Sequence, residues 1–213
     1  MKSRELCDET RPAPRKRLQG GGGCGSVRVL GMQDTDHPAD TVEAGVSLGS
    51  NLGDRAANLR AAVRLLTETP GVRLLARSSD WETEPVDVPP AFADKPYLNA
   101  VAVFAVSIPL ETWSGRCHAV EDELGRVRTG WHHPRTIDVD LLYYGGAVRD
   151  EPHLHLPHPQ IALRRFVCAP LAEVRPDLRL PGQSGTIAEL LAALPLRPAV
   201  RLSGDRRGAD SVS

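Results

Sequence analysis

Two aspartates, Asp138 and Asp140, stand two residues apart in the otherwise apolar stretch TIDVDLLYY, and Arg135 comes three residues before the first. Residues at i and i+2 of a strand project the same way, about 6.5–7 Å apart along the chain. Two carboxylates so placed can share one hard cation or hold a pair of them. Magnesium bound by one or two carboxylates plus substrate phosphates is the usual arrangement where phosphoryl groups are transferred. The alternative is a pair of solvated strand carboxylates, since acidic side chains resist burial without a positive partner. Arg126 and Arg128 in ELGRVRTG, with Arg135 further on, bracket a glycine-containing loop. Guanidinium groups bind phosphate oxygens bidentately and stay charged, so such a loop suits closure over a polyphosphate. Solvated arginines in a surface loop fit the same pattern.

A second lining comes from WETEPVDVPP and YLN, which offer Thr83, Tyr97 and Asn99 as polar groups beside apolar Val86. An amide can read the edge of a flat heterocycle, and an aromatic ring can stack on its face. His153, His155 and His158 in PHLHLPHPQ invite a zinc reading, but their spacing matches no usual zinc pattern and no cysteine completes it.

The elements that must carry these residues follow from periodicity. AGVSLGS reads as a short strand. NLGDRAANLRAAVRLLTETPG places Leu59, Ala62, Val63 and Leu66 at helical spacing, with Asp54 near the start and Pro70-Gly71 as the stop. VRLLARSSDWET predicts a second strand, and the four prolines of EPVDVPPAFADKP a loop. YLNAVAVFAV is a third strand. PLETWSGRCHAVEDELG carries one apolar stripe of Leu110, Trp113, Cys117, Val120 and Leu124. In the fourth strand Ile137, Val139 and Leu141 share one face and the two aspartates the other.

The order β-α-β-β-α-β predicts an α+β, ferredoxin-like fold with helices on one face of a mainly antiparallel sheet. The aspartates then lie on the face left for loops and ligands. A C-terminal extension follows, with PHLHLPHPQ strand-like, then LRRFVCAPLAEV, and TIAELLAAL as a last amphipathic helix. Residues 1–42, rich in Gly, Pro and Arg, read as a flexible tail, residues 43–196 as the domain and residues 197–213 as a second tail.

The bulk numbers exclude several classes. With 41% hydrophobic and 25% charged residues among 213, the chain is of globular composition. A net charge of -1 and 4% aromatic residues argue against a nucleic-acid partner, which would need a basic, aromatic sheet face. No apolar run approaches the roughly 20 residues that span a bilayer, and the N-terminus lacks the apolar segment of a secretory signal. The 4 cysteines are scattered, as expected of reduced thiols in a cytoplasmic protein.

VSLGSNLGDRAANL, SSDWETEPV, YLNAVAVF, VEDELGRVR, PRTIDVDLLYYG and LPHPQIALRRFVCAPL occur in the order found in one family. Over about residues 44–192 the chain resembles the 6-hydroxymethyl-7,8-dihydropterin pyrophosphokinases of folate synthesis. The resemblance implies transfer of the β,γ-pyrophosphoryl unit of ATP to the pterin hydroxymethyl group, with release of AMP. It implies two magnesium ions on Asp138 and Asp140, and Arg126 and Arg135 as catalytic. His118, Glu121, Arg128, His158 and Arg164 would line the nucleotide, and Thr83, Val86, Tyr97, Asn99 and Phe166 the pterin. It further implies a monomer acting on the small molecules ATP and dihydropterin.

The chain departs from the family pattern in four places. The loop before Arg135 reads WHHPR and is one residue short, with Trp131 or His132 in place of the family's aromatic. His118 stands for a glutamine, Glu84 for a proline at the pocket edge, and Pro159 at a variable site. The alternatives to an active enzyme are a catalytically impaired homologue and a ferredoxin-like binding module.

Overall fold

A computed structural model of the chain describes residues 41–85, 89–90, 94–126 and 134–204. The expected N-terminal tail up to residue 40, Cys7, Cys24, Val86, Arg128, Trp131, His132 and positions 205–213 lie outside the described residues. Among the described residues, eight strands and four helices follow in chain order. They are β1 (Val42–Ser50), α1 (Arg55–Thr67), β2 (Val72–Arg77), β3 (Trp81–Thr83), β4 (Tyr97–Val106) and α2 (Leu110–Glu123). Then come β5 (Asp138–Tyr144), β6 (Arg149–Glu151), β7 (Leu154–Leu156), α3 (Arg165–Val174), α4 (Ile187–Ala193) and β8 (Val200–Leu202).

The main sheet runs β5-β1-β4-β3-β8, with β2 also on β4, and every pairing is antiparallel. This is the ferredoxin-like strand order. The second strand expected across 72–83 is divided by a bend at Ser78–Asp80, and both pieces pair with β4. The Ser78 hydroxyl, accepting from the Val101 N–H at 2.9 Å, bridges the break in the ladder.

Helices α1 and α2 cover one face. Leu59, Leu66, Trp113 and Val120 pack there with Ile137 and with Val139 and Leu141 of β5. Phe104 of β4 meets Trp113 edge to face at 5.4 Å between ring centroids. Each such side chain contributes about 1.5–3 kcal/mol when fully buried. Asp54 starts α1 by accepting the Ala57 N–H at 2.9 Å, satisfying one of the donors a helix start leaves open.

The opposite face is divided. A register shift between β1 and β5 at Gly45/Val46 acts as a bulge and turns Tyr143 away from α1 and α2. Tyr143 joins Val101, Val103, Val167, Leu171 and Ile187 in a second core under α3 and α4. Gly45 is required beneath it, because a Cβ there would lie 2.1 Å from the Tyr143 ring. The C-terminal extension therefore takes part of the face that the βαββαβ pattern alone leaves to loops and ligands, and only the remainder is open.

Two boundaries also need correction. Val42 already belongs to β1, and the expected tail from 197 contains β8, paired with β3 from Trp81↔Leu202 to Thr83↔Val200. The short alternation of Val200 and Leu202 is too brief to read as a strand without its partner. PHLHLPHPQ contributes β7, which forms a two-stranded sheet with β6. Cys117 and Cys168 are free and buried, and burial foremost lifts their thiols to about 12 and about 11.

Candidate active site

Register brings the separate motifs onto one row. Asp138 of β5 faces Gly49 of β1, Gly49 faces Asn99 of β4, and Asn99 faces Trp81 of β3. Side chains in register share a face, so Asp138, Asn99 and, two residues along, Asp140 and Tyr97 belong to the open part of the second face. Two strand spacings separate Asp138 from Asn99, about 10 Å. Gly49 keeps the interval clear, because a Cβ there would come within 3.0 Å of Asn99 Oδ1 and 3.8 Å of Asp138 Cβ.

The charged half is built around Asp138. Its Oδ1 accepts from Arg126 at 2.6 Å and its Oδ2 from Arg135 at 2.7 Å. Gly125, at φ +75, turns the chain out of α2 so that Arg126 follows directly. Glu121 on α2 is only 2% exposed, is paired with Arg126, and accepts the Val139 N–H at 2.8 Å. Burial opposes the charge of Arg135, but Asp138, Tyr97 and Asp140 outweigh it and raise its pKa.

Asp140 has no hydrogen-bond donor among the described residues. Burial foremost, then the charges of Asp138 and Glu121, raise its pKa, while Arg126 and Arg135 offset them in part. This crowding favours an added positive charge, and an all-carboxylate donor pair fits a hard divalent ion. Among the described residues no group of three or more His, Cys, Asp or Glu could enclose a metal.

The other half is neutral. Thr83 and Asn99 are 3% and 4% exposed, and Asn99 Nδ2 donates to Thr83 Oγ1 at 2.8 Å. The threonine thus occupies one donor of an amide expected to face a ring edge. Tyr97 adjoins the charged half, its ring centroid 6.0 Å from the Arg135 guanidinium carbon.

His158 and Arg164 stand on the charged side. Burial and then Arg164 lower the His158 pKa, while nearby Asp138 pulls it upward. Arg164 lies 5.6 Å from the Phe166 ring centroid. His118 is exposed at the margin, 3.8 Å from Glu121. Of the other histidines, His155 meets Asp150 at 2.9 Å and His153 meets Glu151 at 3.6 Å. Gly49 and Asn51 are the site-bordering residues that sequence patterns do not single out. Their importance comes from partners about 50 to 90 positions away, which no local period reveals.

A carboxylate pair balanced by arginines, beside a buried amide on a ferredoxin-like sheet, suits a nucleotide-dependent group transfer to a flat polar acceptor. Comparison with known proteins narrows the class. The profile of the 7,8-dihydro-6-hydroxymethylpterin-pyrophosphokinase (HPPK) family matches residues 45–176, and the chain belongs to this family. The 2-amino-4-hydroxy-6-hydroxymethyldihydropteridine pyrophosphokinase of Methylorubrum extorquens is 41% identical over 152 residues, covering 70% of this chain and 91% of that protein. The enzyme of the same name from Pseudomonas aeruginosa is 38% identical over 161 residues, covering 75% of this chain and 96% of its own. A crystal structure of HPPK-DHPS in complex with substrates superposes with a TM-score of 0.55 at 11% identity, over 72% of this chain and 43% of that one. That likeness concerns the fold, and this chain spans less than half of the solved one.

Proposed function

We propose that the chain transfers the β,γ-pyrophosphoryl unit of ATP to 6-hydroxymethyl-7,8-dihydropterin in folate biosynthesis. The observation that carries this reading is the placement of both arginines on Asp138, at 2.6 and 2.7 Å, on the same row of the sheet as buried Asn99. The pterin hydroxyl oxygen bonds to the β-phosphorus and gives up its proton to solvent, the bond from that phosphorus to the α–β bridging oxygen breaks, and AMP leaves with the bridging oxygen.

Asp138 and Asp140 would hold two magnesium ions, which when bound neutralise phosphate charge and align the transferring group. Arg126 and Arg135 exchange their hold on Asp138 for phosphate oxygens and stabilise the charge of the transferring group. Glu121 keeps Arg126 oriented. His158, Arg164 and His118 border the nucleotide, and the family resemblance adds Arg128 to this set. Asn99 and Thr83 read the pterin edge, Tyr97 and Phe166 bound its ring, and the family resemblance adds Val86 to this set. The chain acts as a cytoplasmic monomer on small-molecule substrates, without nucleic acid or membrane.

A nucleotide product assay tests this reading. Protein, ATP, magnesium and 6-hydroxymethyl-7,8-dihydropterin yield pterin-dependent AMP, and an Asp138→Ala/Asp140→Ala variant yields none. ADP in place of AMP would refute pyrophosphoryl transfer. Absence of turnover by folded protein would favour the impaired homologue. Omitting magnesium, or replacing it with calcium, tests the metal requirement separately.

A further inference from the structure

We infer that Asn51 is the positioning residue for Arg135, an inference that rests on the function proposed above for its activity arm only. Arg135 lies between Pro134 and the start of β5 at Asp138, outside the ladder that would satisfy its main chain. One residue supplies both missing partners. The Asn51 N–H donates to the Arg135 carbonyl at 3.2 Å, and Asn51 Oδ1 accepts the Arg135 N–H at 2.8 Å. With the main chain so held, the guanidinium reaches Asp138 at 2.7 Å and stands 6.0 Å from the Tyr97 ring centroid.

The corner that presents Asn51 is itself fastened. Ser50 is fully buried, and Asn58 Nδ2 donates to Ser50 Oγ at 3.2 Å and to the Leu52 carbonyl at 2.9 Å. From the start of α1, Arg55 reaches the Pro96 carbonyl at 2.8 Å and Glu82 at 2.9 Å. The β1–α1 corner therefore grips the segment before Tyr97 with one residue and Arg135 with another. It sets the distance between the two halves of the site.

Packing alone does not account for Asn51. It is 6% exposed, and its Nδ2 is buried without a partner among the described residues. An unsatisfied buried donor is unfavourable, so an apolar residue would serve the core better. The Oδ1 contact to Arg135 is what an apolar residue could not make.

Two measurements decide it. Amide exchange at Arg135 should be slow in the wild type, fast in Asn51→Ala and still slow in Asn51→Asp, which keeps the acceptor oxygen, with β4 amides unmoved in all three. In steady-state AMP formation, Asn51→Ala should lower kcat about 10²-fold, the scale expected for a misplaced group, with both KM values nearly unchanged. In an Arg135→Ala background the same substitution should cost almost nothing more. Unaltered exchange at Arg135 in Asn51→Ala, loss of protection in Asn51→Asp, or an equal fall in kcat in both backgrounds would overturn the inference. A wild type that forms no AMP refutes the proposed function instead, and the exchange measurement then decides on Asn51 by itself.

Discussion

Asp138 and Asn99 lie on one row of the sheet with Gly49 between them, yet they are held by different means. Asp138 is kept by two guanidinium groups, and the same charges partly relieve Asp140. Asn99 is kept by a neutral hydrogen bond to Thr83 in almost complete burial. The charged half is therefore a set of competing partners, ready to exchange one anion for another. The neutral half is preformed and rigid. A ligand entering the first rearranges ion pairs, whereas a ligand entering the second must fit what is there.

The largest effect is expected where the charged half is most crowded. Asp140→Asn removes a carboxylate that the fold disfavours but that the proposed metal needs. AMP formation should fall roughly 10³-fold, the upper end of what one preorganised electrostatic contact contributes. Because the Asp140 pKa is raised, its ionised form is destabilised by folding, so the variant should melt higher in metal-free buffer near neutral pH. Activity and stability moving in opposite directions is the signature of a site strained for binding. A parallel fall in both would make Asp140 an ordinary structural residue.

The neutral half should respond differently. Asn99→Leu leaves Thr83 Oγ1 without its donor and removes the amide from the row. One buried hydrogen-bonding group left unpaired costs about 1–3 kcal/mol, or roughly five- to 150-fold in affinity. The rise should appear in the KM for pterin and not in that for ATP. Equal rises in both would erase the distinction between the halves.

How much of this was legible in the chain differs by type of information. The helical stripe Leu110, Trp113, Cys117, Val120 and the alternation Ile137, Val139, Leu141 report burial directly, so α2, β5 and the face they share follow from local pattern. The Asp-x-Asp spacing likewise predicts two carboxylates on one face. The grip of Asn51 on Arg135, the bulge that turns Tyr143, and the pairing of β8 with β3 depend on partners remote in sequence. A three-residue strand such as β8 has no periodicity of its own and is ordered by the edge it finds. The fold's outline is local information, while the precision of the site is not.

Gly49→Ala tests the join between the halves. Its Cβ would press on Asn99 Oδ1 at 3.0 Å, whereas Asp138 Cβ at 3.8 Å is at ordinary contact distance. Asn99 is already held by Thr83 and cannot yield freely. The pterin KM should rise severalfold, less than in Asn99→Leu, with a modest fall in thermal stability from the same contact. A larger change in ATP KM than in pterin KM would mean that the row is read from the charged side.

The smallest effect concerns the support of β3. Glu173 on α3 accepts from the Ser79 N–H at 2.9 Å, the Ser79 hydroxyl at 2.7 Å and the Trp81 indole at 2.8 Å. Partial burial by itself lifts its carboxyl, but those donors and the Arg77 charge outweigh it and hold the pKa below the ordinary value. A lowered carboxylate pKa stabilises the fold above the unfolded-state value, near 4.3 for glutamate. That contribution is lost as pH falls through the lower folded value. Glu173→Gln should therefore lose a little stability at neutral pH and flatten the acid limb of the melting curve. Because the group is largely solvated, the shift should be small, and pterin KM should change less than in Gly49→Ala. A pH dependence identical to the wild type would remove α3 from the support of β3 and leave β4 and β8 to hold it.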